Sequence, residues 1–213
     1  MALRESLGKR SARERRLTIA IPGGERSKAY PIELLRRAGV HIPDLSGSRS
    51  LKHELEEVTL LEVKDADVPV YVDIGVADCG IVGKDWIMES GRDVYEPLDL
   101  GGPEYRLSLI RLRGATGRIE RVASKYARIA RRVIAAKGMA ADVLPLNGKL
   151  ELAVTVGLVD AILDVVQTGR TLVDNGLEEI EVLHKLSVRL IVNRAALKLK
   201  VPTVRELIHR LEP

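Results

Sequence analysis

Asp164, Thr168, Gly169, Arg170 and Thr171 are the residues whose types and spacing best suit a chemical task. An acid followed by Thr-Gly-x-Thr concentrates hydroxyl donors and unhindered backbone amides in a few positions, and that is what a phosphate takes from a protein. Gly169 lets the main chain approach the oxygens, Thr168 and Thr171 add hydroxyl donors, and Leu172 opens whatever follows. Asp164, four residues before the loop, is spaced to reach a sugar attached to that phosphate. A helix N-cap, with Asp164 merely closing a strand, explains the same residues equally well.

This chemistry needs a strand before the loop and a helix after it. Leu158 to Val166 is apolar and rich in β-branched residues, which predicts a strand buried on both faces. Leu172 to Asn175 predicts a short helix stopped at Gly176. A second group lies upstream, where Asp67-Val-Pro-Val-Tyr71 starts a helix and Ala77 to Gly83 is a strand ending in glycine. Lys84 to Glu89 then begins another helix, and the succession places Asp78, Gly83, Lys84 and Asp85 at the carboxyl edge of a sheet. For Asp85 an ordinary acidic helix start is sufficient explanation.

The remaining elements alternate in the same manner. Leu17–Ile21, Leu51–Glu56, Val58–Val63, Tyr105–Leu112, Arg121–Ser124, Ala141–Leu146 and Glu178–Val192 read as strands. Helices are expected over Arg26–Ala38, Lys125–Lys137, from Asn147, and over Thr203–Leu211. The pattern is α/β, in two lobes. The first would comprise residues 17–100 plus 184–213 and the second residues 101–183, with candidate residues from both facing one cleft.

Composition narrows the classes further. With 213 residues, 46% hydrophobic and 30% charged, the chain can bury a sizeable core. The formal charge of +4 resides in residues 1–16, where six Lys/Arg face two Asp/Glu. That excess reads as a basic, disordered tail, and with no Phe and one Trp there is little to stack nucleic-acid bases on. No run approaches the roughly 20 apolar residues of a membrane span, and the start lacks the apolar core of a secretory signal. The single Cys79 excludes an internal disulfide and fits a reducing cytoplasm, and the four scattered histidines have no metal-ligand spacing.

Five segments occur in an order that resembles a known family. They are Asp67-Val-Pro-Val-Tyr71 with Gly75-Val-Ala-Asp-Cys-Gly-Ile-Val-Gly-Lys-Asp85, Arg121-Val-Ala-Ser-Lys-Tyr126, Gly148-Lys-Leu-Glu-Leu-Ala153, and Asp164-Val-Val-Gln-Thr-Gly-Arg-Thr-Leu172. Together they are similar to the catalytic subunit of ATP phosphoribosyltransferase, the first enzyme of histidine biosynthesis, over about Leu17 to Leu211. The chain ends at Pro213, so the resemblance is to the short form, which works with a separate regulatory subunit resembling histidyl-tRNA synthetase. The family implies a two-lobed fold like periplasmic binding proteins, a homo- or hetero-oligomer, and a reaction between ATP and phosphoribosyl pyrophosphate. It also implies Mg2+ carried by the phosphoribosyl pyrophosphate, with no confident metal ligand from the protein.

The resemblance implies residue roles as well. Thr168, Gly169, Arg170, Thr171 and Leu172 would hold the ribose 5-phosphate. Asp164 and Glu151 would be the catalytic acids, facing the ribose hydroxyls or the charge that develops at C1. Lys64, Asp78, Gly83 and Arg106 would serve ATP, with Lys64 standing where the family usually has arginine.

The chain departs from the family pattern at several points. Pro22-Gly23-Gly24-Glu25 replaces Pro-Lys-Gly-Arg, which removes two cations and adds an anion on the nucleotide side. Gly101-Gly-Pro-Glu-Tyr-Arg106 keeps only the outer Gly and Arg of Gly-x-Gly-x-Cys-Arg. Gln167 and Val154 replace Glu and Pro. These changes motivate an alternative, a degenerate nucleotide- or phosphate-binding subunit of the same fold. A purine-salvage type of phosphoribosyltransferase fits less well, because Leu163 stands where a second acid would precede the loop.

Overall fold

Ile19, Ala20 and Ile21 are fully buried in β1 (Leu17–Pro22), a run that only a sheet covered on both faces can bury. The structure is a computed structural model that describes residues 16–45 and 47–212, so the basic tail expected over 1–16 lies, apart from Arg16, outside the described residues. Two compact units emerge: Met1–Gly102 with Val188–Pro213, and Pro103–Ser187.

In the first unit β1 leads into α1 (Glu25–Arg37), whose Ile32, Leu34 and Leu35 are buried. A β-pair follows, β2 (Lys52–Glu54) antiparallel to β3 (Val58–Val63). A short 3-10 turn over Asp65–Asp67 then feeds α2 (Val68–Asp73), with Pro69 in its first turn where the missing amide costs nothing. Next come β4 (Cys79–Gly83), α3 (Lys84–Ser90) and β5 (Tyr95–Asp99).

The second unit holds β6 (Tyr105–Leu112), β7 (Arg121–Ser124), α4 (Ala127–Ala136), β8 (Asp142–Pro145), α5 (Leu150–Thr155), β9 (Ala161–Val166), α6 (Arg170–Asp174) and β10 (Leu177–Leu186). Its sheet runs β10-β6-β9-β7-β8, with β7 parallel to β8 and β9, and β6 antiparallel to β9 and β10. Ile110, Ala123 and Ile162 pack there against Leu150, Ala153, Val154 and Leu172, which places α5 and α6 on one face. Chain return supplies β11 (Val188–Val192), α7 (Ala196–Leu199) and α8 (Val201–Leu211) to the first unit. That sheet runs β2-β3-β1-β4-β11-β5, and β1, β3 and β4 are parallel.

Two elements, β5 and α7, were not expected, the strand expected over Leu51–Glu56 is only Lys52–Glu54, and the helix expected from Asn147 starts at Leu150. The strand expected from Leu158 begins at Ala161, because Val156 and Gly157 turn and leave Leu158 45% exposed. The single strand region expected over Glu178–Val192 is two strands in two different sheets, parted at Ser187. The closing helix starts at Val201, two residues early, with Pro202 inside its first turn rather than ahead of it.

Candidate functional site

Alternation along β6 sends Arg106, Ser108 and Ile110 to one face, and their cross-strand partners on β9 are Val166, Asp164 and Ile162. Leu172 and Leu177 join Ile110 and Ile162 in one apolar cluster, so the chain after β9 folds back over this same face. Gly169 makes that reversal: at φ +76° it occupies the left-handed region, where a side chain is costly, and it caps α6.

The resulting loop is open to solvent. Gln167, Thr168, Arg170 and Thr171 are exposed, while Leu172 anchors it from below. The amides of Leu172 and Val173 bond to the Gly169 carbonyl, and the Arg170 amide reaches the Thr168 hydroxyl at 3.4 Å. Among the described residues nothing accepts from the amides of Thr168, Gly169 or Thr171. Beside the loop lies an open cavity of about 620 Å3, lined by Arg106, Thr168, Gly169, Arg170, Leu172 and Glu179 among others. Free amides at the start of a helix, next to open space, can accept an anion.

Asp164 sits half-buried on β9, and its Oδ1 is 3.2 Å from the Lys125 Nζ. Lys125 lies one residue past the end of β7, and its ammonium also stands 5.0 Å from the ring centroid of buried Tyr126. Glu151 is half-buried in the first turn of α5, on the face that α6 shares. Asp164 on β9 and Lys125 after β7 are thus paired, while Glu151 stands in the first turn of α5.

Arg106 belongs to this unit and has specific partners. Its Nε and Nη2 clasp the Glu179 carboxylate at 2.7 and 2.5 Å, and its Nη1 donates to the Gln167 carbonyl at 2.9 Å. The Ser108 hydroxyl, fully buried, donates to the same carboxylate at 2.6 Å. The Arg106 hydrogen bond holds the Glu179 carboxyl below the usual carboxylate range, against burial and helped by Ser108. The same bond raises the Arg106 guanidinium further still.

In the first unit the parallel strands β1, β3 and β4 end at Pro22, Val63 and Gly83 on one edge of the sheet. Lys64 is exposed at that edge, directly after β3. Gly83 caps α3, and a Cβ there would lie 2.3 Å from Asp85 Oδ1, so a larger residue would have to displace that carboxylate. Lys84 is committed to Glu96, with both carboxylate oxygens at 2.7 Å. Lys28 is held by Glu25 at 2.8 Å and by buried Glu62 at 3.4 Å, and His53 Nε2 meets the other Glu62 oxygen at 2.9 Å.

Asp78 requires a correction. It precedes β4 and therefore lies at the amino edge, a strand length from Gly83, and not at the carboxyl edge with it. Its Oδ2 accepts from the Thr18 amide and the Lys200 ammonium, each at 2.8 Å. Even in the strand expected over Ala77–Gly83 Asp78 stands second, so the direction of the strand alone puts it at the amino end. Lys64 and Gly83 are thus brought to one edge of one unit, Asp78 to the opposite edge, and Arg106 to the other unit under the phosphate-type loop. Sequence reasoning missed Ser108, Glu179 and the pairing of Lys125 with Asp164. The signal for Ser108 was a lone hydroxyl inside the apolar run Leu107-Ser-Leu-Ile110.

Residues 64–213 match the family model described as HisG: ATP phosphoribosyltransferase. The chain is 52% identical over 197 residues to an ATP phosphoribosyltransferase of Thermus thermophilus, covering 92% of this chain and 95% of that protein. It is 54% identical over 195 residues to one of Deinococcus radiodurans, covering 92% and 89%. Among solved structures it is similar to the ATP phosphoribosyl transferase (HisG:HisZ) complex from Thermotoga maritima, with a TM-score of 0.81, 29% identity, and 92% and 95% of the two chains covered. A putative L-cystine ABC transporter from Listeria monocytogenes, at a TM-score of 0.54, 14% identity, and 91% and 89% coverage, shares the fold alone. These likenesses agree with the two mixed sheets in identifying the α/β fold as that of periplasmic-binding-protein-like proteins. The chain belongs to the ATP phosphoribosyltransferase family, the transferases of the first step of histidine biosynthesis.

Proposed function

We propose that the loop Thr168–Leu172 holds the 5-phosphate of phosphoribosyl pyrophosphate, that Asp164 and Glu151 attend its ribose, and that the carboxyl edge of β3 and β4, with Lys64 and Gly83, serves ATP. The observation that carries this reading is the set of unbonded amides at Thr168, Gly169 and Thr171, in a loop that begins four residues after a half-buried acid and whose Thr168 and Gly169 line an open cavity. Asp78 has no part in it, since its carboxylate is engaged at the other edge.

The chemistry follows from the charges. The adenine N1 lone pair forms the new bond to C1 of the ribose as the bond from C1 to pyrophosphate breaks, and the departing pyrophosphate keeps that bond's electrons. C1 gains cationic character as the bond stretches, and a fixed carboxylate at Asp164 stabilises it. Lys125 keeps that carboxylate in place before substrate arrives. Mg2+ enters with phosphoribosyl pyrophosphate as part of the substrate and offsets charge on the leaving group.

By analogy with the Thermotoga complex, the chain works in an assembly with a partner subunit. Family membership and a single, buried cysteine support a cytoplasmic setting. Among the described residues, no helix is long and apolar enough to cross a membrane. The test is formation of phosphoribosyl-ATP, followed by ultraviolet absorbance, with the partner subunit present. Asp164→Ala is expected to lower kcat at least about tenfold, the effect of losing roughly 1.4 kcal/mol of transition-state stabilisation. Unchanged kinetics would remove Asp164 from the mechanism.

A further inference from the structure

We infer that Arg106 is a positioning residue for the phosphoribosyl loop, held in place by Glu179 and Ser108, and that it acts by fixing the direction of the Thr168 amide. The inference rests on the reading of the loop given above and adds three residues to it.

The Gln167 carbonyl and the Thr168 N–H belong to one planar trans peptide, so they point in opposite directions. Arg106 Nη1 donates to that carbonyl at 2.9 Å. The Thr168 N–H is thereby turned away from Arg106, and no described residue accepts from it. Gly169, the next residue, lies over the same guanidinium: a Cβ there would be 3.6 Å from Arg106 Nη2. One side chain thus fixes the plane of the peptide at which the loop departs from β9.

Arg106 can do this only if it is itself immobile. Its other two donating nitrogens are used by Glu179 in a two-bond clasp, and the second oxygen of that clasp also takes the Ser108 hydroxyl. Ser108 has no exposure, and such a buried hydroxyl is expensive unless bonded. Glu179 is half-buried beside an apolar cluster, where a carboxylate needs a fixed countercharge. These three groups come from two neighbouring strands and form a rigid polar inset under the loop. Only arginine has the geometry: a lysine ammonium lacks the planar fork that spans a carboxylate and a carbonyl together.

The experiment measures KM for phosphoribosyl pyrophosphate and for ATP separately, and kcat, on the full chain with its partner subunit. For Arg106→Lys the expected result is a KM for phosphoribosyl pyrophosphate raised about tenfold or more, with KM for ATP and kcat changed less than about threefold. Glu179→Gln should move the same constant in the same direction by less. The double variant Arg106→Lys/Glu179→Gln should be no worse than Arg106→Lys, because the acid works through the arginine. If Arg106→Lys does not fold, Glu179→Gln and Ser108→Ala decide on the same criterion. A raised KM for ATP instead would make Arg106 a nucleotide ligand and overturn the inference. The double variant Thr168→Val/Thr171→Val separates the two levels. If it raises KM for phosphoribosyl pyrophosphate and Arg106→Lys does not, the inference fails and the loop reading stands. If neither changes that KM, the loop reading itself fails.

Discussion

Replacing Asp78 by alanine should destabilise the protein and leave ATP binding alone. The carboxylate makes two contacts, the Thr18 amide and the Lys200 ammonium, both at 2.8 Å. A hydrogen bond to a charged acceptor is worth about 1.5–3 kcal/mol. The ion pair, with side-chain exposures of 24% and 15%, adds about 0–1 kcal/mol after solvent screening. Together these give about 1.5–4 kcal/mol, and at this chain length each kcal/mol moves Tm by roughly 2–4 °C. Asp78→Ala should therefore lower Tm by about 3–16 °C, and Asp78→Asn, which keeps an acceptor for Thr18, by roughly half as much. Thermal and urea unfolding measure the effect, and steady-state kinetics supply KM for ATP. An unchanged unfolding midpoint together with a tenfold rise, about 1.4 kcal/mol, in that KM would return Asp78 to the nucleotide site and refute the reasoning.

Three further predictions follow from single contacts. Gly83→Ala must displace the Asp85 carboxylate, which a Cβ would approach to 2.3 Å; a cost of about 1–3 kcal/mol in urea unfolding and a higher KM for ATP are expected. Glu25→Ala releases Lys28 from one of its two partners, near the edge proposed for ATP. Because the acid is 83% exposed, stability should change by less than about 0.5 kcal/mol while KM for ATP falls; an unchanged KM would mean that Glu62 alone keeps Lys28 occupied. Asp160 accepts from the amides of Glu120 and Arg121, which hold its carboxyl below the ordinary value. Its contribution to stability is thus present above the unfolded pKa of about 3.9 and is lost as pH falls through the lower folded value. Urea unfolding at descending pH should show a shallower acid loss for Asp160→Asn than for the parent chain.

The loop and its flanking strand were legible because local chemistry specifies them. Gly169 stands where the backbone must turn left-handed, and Leu163 and Val166 stand where a strand must be buried. Asp78 was misplaced for a simpler reason than register: in a strand over Ala77–Gly83 it already stands at the amino end, and β4, which begins at Cys79, keeps it there. Long-range partners were hidden: Arg106 and Glu179 are 73 positions apart, and neither residue announces the other. The edge strand β5 escaped detection for a third reason. Pro97 interrupts its short run, and a proline inside a strand is tolerated only where one side of the ladder is free. Glu178–Val192 is apolar and charged in the same rhythm throughout, so the break at Ser187 between two sheets leaves no mark in the pattern.

Placing β11 between β4 and β5 has a consequence for how the protein is made. The stretch 103–187 is uninterrupted, so a ribosome delivers all of it before the strand that completes the earlier sheet. Residues 16–102 must wait with a missing ladder, β5 lacking its only neighbour, until Val188–Val192 emerges. The entry and exit of the inserted segment are stitched together once that happens, Val188 exchanging hydrogen bonds with Leu100 and Gly101 at 2.9 and 2.8 Å. Nascent chains truncated before Val188 therefore hold every strand of the second sheet and lack one strand of the first.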